Sequence, residues 1–184
     1  MTNYSLQNNH FLVNVSKSGA GILSIHNLMN KTEILWNPDF QFWNRISPVL
    51  FPIVGKLMNN SFSENGNKYS MLQHGFARNM EFEVIQQTEN SLSMQLTANE
   101  ETQNQYPFDF VLKISYILLE NCLDVHYSVS NLSAVEIPFS IGAHPGFALD
   151  KPLNQYKLVF NQPFSADRHL IQDGLYTNET SPVM

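Results

Sequence analysis

Phe110-Val111-Leu112-Lys113-Ile114-Ser115-Tyr116 and Leu123-Asp124-Val125-His126-Tyr127-Ser128-Val129 carry large apolar side chains at every second position, with a turn near Glu120-Asn121 between them. A period of two puts Phe110, Leu112, Ile114 and Tyr116 on one face and returns Leu123, Val125, Tyr127 and Val129, so the stretch reads as an antiparallel strand pair. His126 shares parity with Asp124 and Ser128 and is expected to face solvent. The same period continues upstream. Phe82, Val84, Leu92, Met94 and Leu96 form a second pair around the turn residues Thr88-Glu89-Asn90-Ser91. Phe11, Val13 and Val15, turned by Gly19-Ala20-Gly21 into Ile22 to Ile25, form an opening hairpin.

No window holds a sustained 3.6-residue apolar stripe, and Pro38, Pro48, Pro52, Pro107, Pro138, Pro145, Pro152 and Pro163 interrupt nearly every candidate helix. The expected fold class is therefore all-β, an antiparallel β-sandwich. With 184 residues and no repeat or linker-like shift in composition, one domain over residues 1–184 is expected. Asn59 to Asn67 reads as a polar loop. The ending Ser181-Pro182-Val183-Met184 reads as a domain interrupted rather than finished, so the C-terminal part of the sandwich is expected to be missing. A sandwich short of strands would leave open edges and an uncovered apolar face, and should dimerise, aggregate or recruit the rest.

A hydrophobic share of 43% against 14% charged residues fits a globular protein. The net charge is −6 and Lys and Arg never stand side by side, which argues against nucleic acid as a partner. A polar N-terminus and the lack of a long apolar run argue against a membrane. The lone Cys122, read as a strand thiol, fits a reducing compartment, and the cytoplasm is the expected location.

Two histidines stand in tight Gly/Pro frames: His74 in Gln73-His74-Gly75-Phe76-Ala77-Arg78 and His144 in Gly142-Ala143-His144-Pro145-Gly146-Phe147. Such frames fix the backbone where an imidazole emerges, as proton transfer near neutral pH requires. A third segment, Phe42-Trp43-Asn44-Arg45 running through Pro48 and Pro52 to Lys56, sets a guanidinium beside two aromatics. Aromatic faces cover the C–H side of a pyranose while Arg donates to its hydroxyls. A structural histidine and a surface-paired Arg45 are the plain alternatives. A metal site is disfavoured, because neither histidine has a second ligand at suitable spacing. No Gly-x-Ser-x-Gly elbow occurs, and His10, His26 and His169 receive no role.

With these three segments in this order, the chain resembles the aldose 1-epimerase (galactose mutarotase) family, and within it the LacX-like branch. The resemblance implies a large sandwich that interconverts the α and β anomers of a free aldose or aldose phosphate without a cofactor. It implies that His144 protonates the ring oxygen, that His74 helps to hold that oxygen, and that Arg45 and Arg78 grip hydroxyls or a phosphate. The general base of the family, a glutamate, falls beyond the point where this sequence stops, and Glu179 does not match its motif. A sugar-binding protein of the same fold without turnover is the alternative function.

Overall fold

The computed structural model describes residues 2–162 and 165–183, so Pro163 lies outside them. Strands β1 (Asn3–Gln7), β2 (Phe11–Ser16), β3 (Ile22–Asn27) and β4 (Thr32–Glu33) form one antiparallel sheet in chain order. The expected opening hairpin is β2 with β3, and β1 extends it on the other side. Its turn needs Gly19, whose φ is +73° and where an added Cβ would lie 2.5 Å from the Arg78 carbonyl oxygen.

After β5 (Val49–Leu50), the residues expected to form a polar loop instead build a hairpin of β6 (Ser61–Glu64) and β7 (Asn67–Ser70). Asn65 and Gly66 turn it with positive φ, and Phe62 stacks on Tyr69 at 5.5 Å. Each strand has only one aromatic to bury, which is why the segment reads as polar.

The second large sheet holds β8 (Glu83–Gln87), β9 (Ser91–Thr97), β10 (Phe110–Leu118) and β11 (Leu123–Asn131) in the order β11-β10-β9-β8. Ile114 sits between Met94 of β9 and Tyr127 of β11, as the period-two reading requires. A single turn, α1 (Glu100–Gln103), links β9 to β10 and is closed by a capping box between Asn99 and Thr102. Cys122 is not on a strand. It lies exposed in the turn before β11, where its carbonyl accepts the Leu119 N–H at 2.9 Å.

The two sheets face each other across one core. Leu6, Val13 and Val15 enter it from the first sheet, and Leu92, Met94, Phe110, Leu112, Ile114 and Tyr116 from the second. The Tyr116 hydroxyl donates to the Ala20 carbonyl and so crosses between the layers. At one end, Asn8 accepts the His10 and Phe11 N–H groups and donates to the Leu119 carbonyl, stitching the turns of both sheets together. The architecture is thus an all-β antiparallel sandwich. The remaining strands are β12 (Gly142–Ala143), paired with β5, and a largely exposed hairpin of β13 (Asp167–Gln172) and β14 (Leu175–Pro182). Among the described residues no helix is long and apolar enough to cross a membrane.

Candidate functional site

The segment Pro48 to Pro52 brings the two histidine frames together. On one side β5 pairs with β12, Leu50 opposite Gly142 and Val49 opposite Ala143, and the Pro48 carbonyl accepts the His144 N–H at 3.2 Å. On the other side the Phe51 carbonyl accepts the N–H groups of Phe76 at 3.0 Å and Ala77 at 3.1 Å. Gly75 makes this approach feasible, since a Cβ there would lie 2.2 Å from the Phe51 oxygen. Beneath the site, fully buried Phe51 packs edge-on to Phe76 at 6.2 Å and against Phe110 at 5.1 Å. The Pro-punctuated run therefore serves as the floor that seats both imidazoles.

His74 is clamped by one residue. Its N–H donates to the Gly55 carbonyl at 2.8 Å, and its ring Nδ1 accepts the Gly55 N–H at 3.0 Å. A backbone N–H can only donate, so Nδ1 carries the lone pair and the proton of the neutral ring sits on Nε2. Burial pushes the His74 pKa below its ordinary value, and the neighbouring positive groups Arg78 and His144 push it the same way. His74 is thus a neutral, oriented N–H donor near pH 7.

His144 follows β12 immediately and is exposed. Its ring lies 6.2 Å from the His74 ring, edge to face, and 4.9 Å from the Trp43 ring. Among the described residues no protein group bonds to either of its ring nitrogens. Gly146 fits between Trp43 and Trp36, where an added Cβ would come within 2.8 Å and 2.9 Å of their side chains. Phe42, the other aromatic of this segment, is 80% exposed and takes no part.

Arg45 and Arg78 converge on an adjoining pocket of about 400 Å³, lined also by Asn44, Asn79, Ser18 and Ser47. Arg45 donates to the Asn79 side chain at 2.9 Å and Arg78 to the Gln73 carbonyl at 2.6 Å. The Arg78 Nε is buried without a partner among the described residues. Among the described residues the ion pair found is Lys17 with Glu81, so no carboxylate neutralises either guanidinium. Burial and the proximity of Arg45 lower the Arg78 pKa. Two paired cations held without counter-charge suit a polyhydroxyl or anionic ligand.

Of the four residues singled out from the sequence, the structure sets His144 against His74, with Arg78 close enough to act on the charge of His74, and puts Arg45 with Arg78 in a pocket whose lining includes neither histidine. It adds Gly55, which sets the His74 tautomer, and Trp43 as the neighbour of His144. Gly55 has no sequence signal, because its contribution is backbone; Trp43 stands out in the sequence as an aromatic beside Arg45, but its contact with His144 arises only through the fold. His126 is exposed on β11, as its parity requires. Among the described residues no three His, Cys, Asp or Glu side chains stand close enough to hold a metal ion.

Residues 2–180 match the family model described as aldose 1-epimerase. The plasmid and chromosomal LacX proteins of Lactococcus lactis subsp. lactis are each 31% identical over 148 residues, which is 77% of this chain and 49% of theirs. The chain therefore spans about half the length of the curated relatives it matches. A solved galactose mutarotase related enzyme from Lactobacillus acidophilus superposes with a TM-score of 0.92 at 35% identity, over 98% of this chain and 62% of that one. A galactose mutarotase-like protein from Lactobacillus casei gives a TM-score of 0.86 at 28% identity, over 98% and 63%.

Proposed function

The chain belongs to the aldose 1-epimerase family, with LacX-like relatives, and on that premise we propose that it carries the acid side of a site that opens the ring of an aldose. The observation that carries the reading is the His74 to His144 contact, with one imidazole locked as a neutral N–H donor and the other free at both nitrogens among the described residues.

Opening a hemiacetal needs a proton at the ring oxygen while another leaves the anomeric hydroxyl. In this reading His144 delivers the proton to the ring oxygen. The Nε2–H of His74 donates a hydrogen bond to the same oxygen and holds it in line, and is not itself consumed. The bond between C1 and the ring oxygen breaks, the ring oxygen keeps the delivered proton as the C5 hydroxyl, the anomeric hydroxyl gives its proton to solvent as C1 becomes an aldehyde, and rotation about C1–C2 exposes the other carbonyl face. Reclosure reverses the proton movements, so no net proton or cofactor is used. Positioned proton transfer of this kind contributes roughly 10²- to 10⁴-fold. Arg45 and Arg78 grip hydroxyls distant from C1 or, because they lack counter-charge, a phosphate on the far end of the sugar. We assign the four residues to one carbohydrate-active domain over residues 1–184, in a cytoplasmic protein whose exposed Cys122 thiol suits a reducing compartment.

Polarimetry on freshly dissolved α-D-glucose, α-D-galactose and their 6-phosphates tests the reading. Acceleration over buffer that His144→Ala abolishes is expected, and no acceleration for any of the four contradicts it. A second reading, binding without turnover, is favoured by a specific observation: the charges acting on His74 are Arg78 and His144, both basic, and no carboxylate is among them. It predicts saturable binding in ligand-observed NMR with an anomer exchange rate equal to that of buffer.

A further inference from the structure

Imidazoles that move protons are ordinarily held in one rotation by a hydrogen bond from the ring to a carbonyl or carboxylate. His74 is held by a ring hydrogen bond of the opposite direction, its Nδ1 accepting the Gly55 N–H. His144 has none among the described residues, although it is exposed and its backbone is fixed to the Pro48 carbonyl. What its ring does have is the indole of Trp43, 4.9 Å away and tilted by 44°.

The backbone that carries this indole is pinned by three hydrogen bonds, and the ring itself is packed on Gly146. The Trp43 N–H donates to the Asp39 carbonyl at 2.7 Å and the Asp39 N–H returns a bond of 3.0 Å. The Trp36 Nε1–H donates to the Trp43 carbonyl at 3.1 Å. Gly146, two residues after His144, lies between the two indoles with no room for a Cβ. The Gly146 N–H is bonded in turn to the Ile46 carbonyl at 2.7 Å, and its carbonyl to the Trp36 N–H at 2.9 Å. Trp43 is therefore fixed through its backbone, and its indole is packed against the loop that carries His144.

We propose that Trp43 is a positioning residue, whose indole sets the ring orientation of His144 toward His74 in place of the missing hydrogen bond. The face of Trp43 is used on the imidazole and not as a platform for sugar. The orientation is a property of the free protein; its consequence for turnover rests on the reading of His144 as proton donor.

The test uses Trp43→Leu, Trp43→Phe and Gly146→Ala in the whole chain, with NMR of the histidine rings. The unaltered protein is expected to show nuclear Overhauser contacts from the His144 ring to both Trp43 and His74. Trp43→Leu should lose the His144 to His74 contact, and Trp43→Phe should keep it, with amide shifts of β8 to β11 unchanged in both. Gly146→Ala should reproduce the loss, because its Cβ displaces the indole. In an anomer-exchange assay Trp43→Leu should lower kcat about 10- to 100-fold. Its KM should stay within about twofold, and Trp43→Phe should restore most of kcat. A His144 to His74 contact that survives in Trp43→Leu overturns the proposal. So does a raised KM with unchanged kcat, the signature of a sugar platform. If the unaltered chain shows no exchange activity, the ring-opening reading fails while the NMR contacts still decide the role of Trp43.

Discussion

At the scale of the residue, the two histidines differ in kind although both stand in Gly/Pro frames. His74 accepts from the Gly55 N–H through Nδ1, so protonating that nitrogen breaks a bond as well as charging a desolvated ring. Because its folded pKa lies below the unfolded value, the unfolded chain takes up the proton first as pH falls, and stability declines. His74→Gln removes this coupling. The stability margin of the unaltered protein over His74→Gln should be complete above about pH 6.5 and shrink below it, as chemical denaturation at a series of pH values would show. A margin that grew on acidification would contradict the lowered pKa. Gly75 is the second residue with a defined cost. Its φ of +69° and the 2.2 Å approach to the Phe51 oxygen leave no place for a side chain. Gly75→Ala should destabilise by at least about 1–3 kcal/mol from the backbone conformation alone, and should also weaken the His74 to Gly55 bonds, measured as faster amide exchange at Gly55.

At the scale of the element, the long strands were legible in the sequence because each buries one face, and period two survives where one face is apolar. Strand β1 was not legible, since Tyr4 and Leu6 are the only apolar residues among Asn3 to Gln7. The β6–β7 hairpin was hidden for the same reason. The element that makes the site was the least visible, because β5 and β12 are two residues each and carry no period at all. The Gly/Pro frames single out His74 and His144 in the sequence, but nothing there indicates that Val49 to Phe51 would be the seam between them. Phe51 anchors that seam and is fully buried among Phe76, Tyr106 and Phe110. Phe51→Ala should cost about 3–5 kcal/mol in denaturant unfolding and disturb both imidazoles at once. A change confined to one of them would show that the seam does not join the frames.

At the scale of the whole molecule, the sandwich opens along one side. Between the edges of β3 and β11 lies an apolar groove of about 320 Å³, lined by Phe11, Ile22, Ile25, Leu123, Val125 and Phe147. Phe147 is 59% exposed, and β11 has no neighbour on its outer edge among the described residues. Exposed apolar surface of this kind promotes association. Sedimentation velocity on the isolated chain should show self-association that rises with concentration, and Phe147→Glu should reduce it; a monomer at all concentrations would contradict this. Pro145 and Phe147 line the groove, whereas neither His74 nor His144 does.

Whether His74 and His144 together open an aldose ring is decided by exchange NMR on [1-¹³C]glucose and its 6-phosphate. The expected result is α-to-β exchange cross-peaks whose rate rises in proportion to protein concentration, is lost in His144→Gln, and is reduced but measurable in His74→Gln. An exchange rate that equals that of buffer for both sugars, or that is unchanged in His144→Gln, would contradict it.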